Sequence, residues 1–203
     1  MISCQASELK FLASGREDVD VRMLGSGRPF AIECCNPKRS KFSPEELKHL
    51  ETEFNKLNCD IEIRDLSLVS KKSIKLLKQG EEEKRKKYVA LCVTSAPVTD
   101  YKFRELERIR DLKLEQETPV RVLHRRANSI RTKMIHNMKF LTAGLSQNMF
   151  KLEVETSAGT YVKEFVHGDF SRTKPSLKTL LGVDTDILAL DVVEVLLPWP
   201  PSS

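Results

Sequence analysis

Residues 148–156 alternate apolar and polar side chains from Phe150 onward, with Phe150, Leu152 and Val154 on one parity. A period of two belongs to a half-buried β-strand, and such a strand buries its apolar face only within a larger sheet. The sequence offers several neighbours. The run 29–36 places Phe30, Ile32 and Cys34 on one face. Residues 59–69 read as a strand whose parity changes, with a bulge expected near Arg64-Asp65. Tyr88 to Val93 reads as a buried strand after a charged lead-in. Pro119 to Arg126 reads as a basic strand, Ser129 to Phe140 as another, and Asp186 to Leu197 as the last.

Helical segments lie between these strands in no regular order. Ser43-Pro44-Glu45-Glu46 has the form of a capping box with proline in the first turn. Leu47, Leu50, Phe54 and Leu57 follow at helical spacing, which predicts an amphipathic helix over 44–57. A short helix is expected over 71–78, capped by Ser70 and stopped by Gly80. Another runs from Asp100, as its cap, to Leu112, with Phe103, Leu106 and Ile109 as its stripe. Short helical segments are expected over 160–168 and 176–181, the latter ended by Gly182. The mixed order excludes a repeating βαβ plan. The expected class is α+β, a mixed, largely antiparallel sheet with flanking helices.

Composition narrows the function. No run of about 18 apolar residues is present, so no membrane-spanning helix is expected. The start of the chain lacks a basic segment followed by a long apolar block, so no secretory signal is expected. The five cysteines form no C-x-x-C pair, which argues against a zinc site or a disulfide framework and for a reducing, intracellular setting in cytoplasm or nucleus. The net charge of +5 is mild, but it is unevenly spread. Arg121, His124, Arg125, Arg126, Arg131 and Lys133 fall within thirteen residues, and no acid occurs from Thr118 through Gly144. Two solvated strand faces would account for this plainly; a phosphate track is the sharper reading. Aromatic residues are sparse, so recognition of a folded RNA by shape fits better than stacking of many bases.

The most ordered charge pattern is Gly15-Arg16-Glu17-Asp18-Val19-Asp20-Val21-Arg22, continuing through Met23-Leu24-Gly25. Gly15 permits a positive φ or a close approach. As a strand, the segment would carry Asp18, Asp20 and Arg22 on one face and the valines on the other, beside cations that keep a carboxylate ionised. An edge strand blunted by charge is the plain alternative.

The run GREDVDVRMLG closely resembles the nucleophile motif of the archaeal and eukaryotic tRNA pseudouridine synthases that act on uridines 54 and 55 of the T loop. Two further segments resemble the same family in the same order. These are Lys86-Lys87-Tyr88-Val89-Ala90-Leu91, and Gly159-Thr160-Tyr161-Val162-Lys163 with its continuation Glu164-Phe165-Val166-His167-Gly168-Asp169-Phe170; Leu123-His124-Arg125-Arg126 also matches the subgroup. The resemblance implies a fold with a central RNA-binding cleft, and Asp18 as nucleophile, attacking C1′ of the ribose or C6 of the ring. It implies that Tyr88 stacks on the flipped base and that Lys163 ion-pairs with Asp18. Val162 packs beneath the tyrosine, and Arg16 helps to hold the flipped nucleotide. Leu190 falls where the subgroup has a base-packing leucine, although a strand leucine is more simply core. Arg121, Arg125 and Arg126 are assigned to tRNA binding.

The implied enzyme is an isomerase that needs no cofactor and no metal and works as a monomer on the T arm of tRNA. The other class of reading is a non-catalytic RNA-binding module derived from the same fold. Members of the family also carry a long N-terminal region with a THUMP-type RNA-binding domain. Nothing in residues 1–14 resembles it, so residues 15–199 are expected to be the catalytic domain alone, with 1–14 a lead-in and 200–203 a tail.

Overall fold

The computed structural model describes residues 4–57 and 59–200. The chain falls into two compact units: Met1–Arg16 with Gly27–Glu81 and Leu197–Ser203, and Glu17–Ser26 with Glu82–Leu196.

In the first unit, β1 (Glu8–Ala13) pairs antiparallel with β3 (Phe30–Cys35) as a two-stranded sheet. Phe11 and Phe30 stack across it, with ring centroids 5.7 Å apart. Helix α1 (Pro44–Leu57) starts as its sequence predicts. The Ser43 hydroxyl accepts from the Glu46 N–H at 3.2 Å, and the Glu46 carboxylate accepts from the Ser43 N–H at 2.9 Å. The strand expected over 59–69 does not form. Its backbone groups bond to α1 side chains instead of to a neighbouring strand. Asn55 brackets Ile63, accepting from its N–H at 2.9 Å and donating to its carbonyl at 2.8 Å, while buried Glu51 accepts from the Leu66 N–H at 3.0 Å. Helix α2 (Ile74–Glu83) begins later than expected and runs through Gly80. The Ser70–Ser73 turn takes up the preceding residues, and an interior glycine costs a helix only about 1 kcal/mol.

The second unit is built on a seven-stranded sheet in the order β2-β9-β4-β7-β6-β5-β8. Its strands are β2 (Val21–Met23), β4 (Lys86–Thr94), β5 (Leu112–Glu117), β6 (Ile130–Leu141), β7 (Met149–Thr156), β8 (Thr173–Lys174) and β9 (Thr185–Val195). Every pairing is antiparallel except that of β2 with β9. The class is therefore α+β with a mixed, largely antiparallel sheet. The alternation at 148–156 is β7, and β4 alternates likewise, burying Lys86, Tyr88, Ala90, Cys92 and Thr94 on one side. Phe103 of α3 (Asp100–Glu107) packs on Phe140 and Phe150, at centroid distances of 4.7 and 5.1 Å. Thr99, not Asp100, caps this helix by accepting from the Lys102 N–H. The helix also stops short of Leu112, because the chain turns at Asp111 (φ 49°) and residues 112–117 form β5, a strand not expected from the sequence, whose first residue the expected helix included.

Two other expectations are corrected here. Residues 119–126 are not a strand: after Pro119 they form a short 3-10 turn, Val120–Val122. Likewise, Asp18 to Val21 is a turn closed by the Val21 N–H on the Asp18 carbonyl at 3.1 Å, and only Val21–Met23 is strand. Val19 is fully exposed, so the valines do not share a buried face. Gly25 shows why this segment ends in glycine. It has φ 62°, and a Cβ there would stand 2.2 Å from the Val193 carbonyl oxygen of β9.

Helices α4 (Val162–His167) and α5 (Leu177–Leu181) complete the unit. Both end on a left-handed glycine, Gly168 and Gly182, and α5 carries a Ser176–Thr179 capping box.

Candidate active site

Three segments of the second unit meet at Asp18: the turn of residues 17–20, the 3-10 turn that carries Arg121, and the start of α4. Each is fixed by bonds from elsewhere in the unit. Glu17 is tied to the largely buried Lys86 at the start of β4, at 3.0 Å. Buried Gln116 of β5 clamps the backbone of Tyr161, donating to its carbonyl at 2.9 Å and accepting from its N–H at 3.0 Å. That bracket places the residue just before α4, and hence Lys163 and Glu164 in the helix's first turn. The buried Thr118 hydroxyl donates to the Ala127 carbonyl at 2.8 Å and so closes the basic segment into a loop.

The Asp18 carboxylate is about one-third exposed, and its Oδ2 lies 2.7 Å from Nη1 of Arg121. The same guanidinium donates from Nε to Oε1 of Glu164 at 2.6 Å. Burial works against the charge on Arg121, but the bonds to Glu164 and Asp18 outweigh it and raise its pKa. Glu164 is buried, and its other oxygen, Oε2, has no hydrogen-bond partner among the described residues. Lys163 stands 3.9 Å from Asp18, within ion-pair range, yet it donates at 2.7 and 2.8 Å to Asp20. That bond holds the exposed Asp20 carboxyl below the usual carboxylate range. The stabilisation it provides is present above the ordinary carboxylate pKa and is lost as pH falls through the lowered value.

The other expected residues sit as follows. Tyr88 is buried, 3% exposed, between Val154 of β7 and Val192 of β9, on the same face as Lys86. Leu190 is buried on β9 beside Val21 and Ala90. Val162 is buried in the first turn of α4. Arg16 closes the first unit and is not among the residues that the second unit brings together. In the basic segment, Arg121 is turned to carboxylates, and Lys133 donates to the Ala158 carbonyl at 2.7 Å, its pKa lowered by burial and by Arg131. Arg125, Arg126 and Arg131 remain exposed. Replacing Arg125 and Arg126 together by alanine is expected to flatten the salt dependence of tRNA binding by roughly one unit of slope per lost phosphate contact. An unchanged slope would place both guanidiniums away from phosphate.

The sequence reading missed Tyr161, Gln116 and Glu164 as site residues. Tyr161 is half-buried, its hydroxyl accepts from Nη1 of Arg126 at 3.0 Å, and the Arg121 guanidinium lies 6.0 Å from its ring centre. Its place immediately before Val162-Lys163 was the available signal. Because Tyr88 fills core volume, Tyr88→Ala would remove packing as well as any contact with substrate, at a cost of about 3–5 kcal/mol. Tyr88→Phe is the cleaner probe: it is expected to fold normally, and its residual rate measures the hydroxyl alone. Wild-type turnover by Tyr88→Phe would assign no chemistry to that hydroxyl.

The cluster presents a partly exposed carboxylate between two cations. Among the described residues, no group of three or more His, Cys, Asp or Glu is placed to hold a metal ion. A shallow depression of about 410 Å³ lies elsewhere on this unit, between Thr94, His167 and Asp184.

Residues 1–196 match the family model described as Pus10, C-terminal. The chain is 50% identical over 198 residues to a mouse (Mus musculus) protein called tRNA pseudouridine synthase Pus10, covering 98% of this chain and 37% of that protein. It is 48% identical over 198 residues to the Homo sapiens protein of the same name, again covering 98% and 37%. Against the archaeal protein of that name from Thermofilum pendens it is 39% identical over 193 residues, covering 94% and 42%. The chain thus spans 37% to 42% of the length of these relatives. Among solved structures it is similar to a chain of a Cbf5-Nop10-Gar1 complex, at 21% identity and a TM-score of 0.45, covering 60% of this chain and 33% of that one.

Proposed function

Because the chain belongs to the family described as Pus10, C-terminal, we propose that it carries the catalytic domain of a tRNA pseudouridine synthase, with Asp18 as the nucleophile and the T loop, at uridine 55 or 54, as its target. The observation that carries this reading is the Asp18 carboxylate: partly exposed, bonded to Arg121 at 2.7 Å and flanked by Lys163 at 3.9 Å. Two adjacent cations orient the carboxylate, and a carboxylate can form a covalent bond to carbon.

The reaction needs no redox partner and no added group. Asp18 bonds to C1′ or C6 of the uridine, the glycosidic bond breaks, and the base turns. A C5–C1′ bond then forms, Asp18 leaves, and the C5 proton is lost. The target must first be taken out of its stack to reach this carboxylate. In this reading Arg121 and Lys163 aim Asp18, and Tyr88 meets the reacting base, with Tyr161 beside Arg121. Val162 and Leu190 support the floor of the site, and Arg125 and Arg126 take phosphates.

The experiment is incubation of the chain with an unmodified tRNA transcript, with enzyme in excess, followed by mapping of pseudouridine along the T arm. The expected result is conversion at one T-loop uridine. Salt-dependent binding of the tRNA without any conversion would instead identify a non-catalytic RNA-binding module.

A further inference from the structure

The turn that follows α4 holds an aromatic side chain in solvent at a conformational cost. Gly168, Asp169, Phe170 and Ser171 all have positive φ, at 85°, 43°, 55° and 69°. The Arg172 N–H closes the turn on the Asp169 carbonyl at 3.0 Å. With Phe170 and Ser171 at its two central positions, this is a mirror-image turn of the kind that glycine, asparagine or aspartate normally form. A bulky residue in the left-handed region is an outlier, and such strain persists only where surrounding bonds over-determine it.

Here the bonds are present. Asp169, itself buried, accepts from the Val120 N–H at 3.1 Å. Arg172 donates to the Thr118 carbonyl at 2.8 Å and to Asn128 at 2.7 Å, and pairs with Glu117 at 3.0 Å. The turn is thus fixed at both sides to the loop of residues 118–128, the acid-free segment that displays Arg125 and Arg126. Yet the side chain it presents packs on almost nothing: Phe170 is 91% exposed. Neither the core nor the backbone benefits from phenylalanine at this position.

We infer that Phe170 is a stacking platform for an unpaired base of the bound tRNA, next to the nucleotides whose phosphates Arg125 and Arg126 contact. The inference rests on the tRNA reading above and assigns it a base-contacting residue. A rigid aromatic face beside a basic loop is the arrangement with which single-stranded RNA is held, because every base offers a π-face. An occupant from an RNA loop also satisfies the charge of the flanking arginines. The helix of α4, about 9 Å long, separates Phe170 from Lys163, so the base it holds is a neighbour of the target and not the target itself.

The test compares Phe170→Asn and Phe170→Trp with the wild-type chain, by melting temperature and by tRNA affinity across a salt series. Asparagine tolerates the left-handed conformation, so Phe170→Asn is expected to melt at or above the wild-type temperature. Its tRNA affinity is expected to fall about 5- to 100-fold, with the salt slope unchanged because no phosphate contact is lost. Phe170→Trp keeps the aromatic face and is expected to bind within about threefold of wild type. Wild-type affinity in Phe170→Asn overturns the inference, and so does a loss of affinity that accompanies a lowered melting temperature, which would make Phe170 a support of the fold. If the wild-type chain itself shows no salt-dependent tRNA binding, the tRNA reading fails and this inference with it.

Discussion

Arg121→Met is expected to lower the unfolding free energy by about 3 kcal/mol. Glu164 is almost wholly buried, and one of its oxygens already lacks a hydrogen-bond partner among the described residues. Arg121 supplies the bond to the other oxygen at 2.6 Å. Removing the guanidinium strands a carboxylate away from water, which is far costlier than loss of an exposed pair. The figure belongs at the low end for buried pairs, because the Arg121 side chain remains 37% exposed. Restoring neutrality should recover most of the loss, so Arg121→Met combined with Glu164→Gln is expected to be clearly more stable than Arg121→Met alone. Denaturant unfolding of the two variants and wild type measures this directly. If the double variant is no more stable than the single one, Glu164 is not the group that Arg121 neutralises. Activity should stay low in both variants, since neither restores the bond to Asp18.

Local signals made much of this fold legible. The Ser43–Glu46 box starts α1 because both partners lie within one turn, and the parity of Phe150, Leu152 and Val154 reports β7 because alternation is a property of adjacent residues. The failures have a common cause. Residues 59–69 look like a strand by composition, but Asn55 and Glu51 take their backbone bonds. Residues 119–126 look extended until Pro119 and the distant Asp169 carboxylate fix them as a turn. Asp18-Val19-Asp20-Val21 alternates, yet Asp18 closes a turn.

The site shows the same division. The motif placed Asp18 and Lys163 near one another, and they are 3.9 Å apart. The pairing is subtler than the sequence suggested: Lys163 bonds to Asp20, and the cation on Asp18 is Arg121, a residue first read only as part of a phosphate track. Both partners of Arg121 are remote in sequence, and no local pattern reports such a contact. Phe170 lies within a stretch that resembles the family, but neither its φ nor its exposure is written in residue type.

The largest effect on activity is expected at Asp18. Asp18→Asn is nearly isosteric, and Arg121 keeps its bond to Glu164, so the stability loss should be small, on the order of 1 kcal/mol or less for a partly exposed pair. Removal of a negative charge should leave tRNA binding unchanged or slightly tighter. An amide cannot act as the attacking carboxylate, so conversion should cease. Asp20→Asn provides the contrast on the same turn. Asp20 is exposed and engages Lys163, so its loss frees Lys163 to close on Asp18, and measurable activity is expected to remain. The measurement is single-turnover conversion of an unmodified tRNA transcript by wild type, Asp18→Asn and Asp20→Asn, each at saturating enzyme. Pseudouridine from wild type and Asp20→Asn, with none from Asp18→Asn although it binds the tRNA, is the predicted result; conversion by Asp18→Asn, or its loss in Asp20→Asn alone, would contradict Asp18 as the nucleophile.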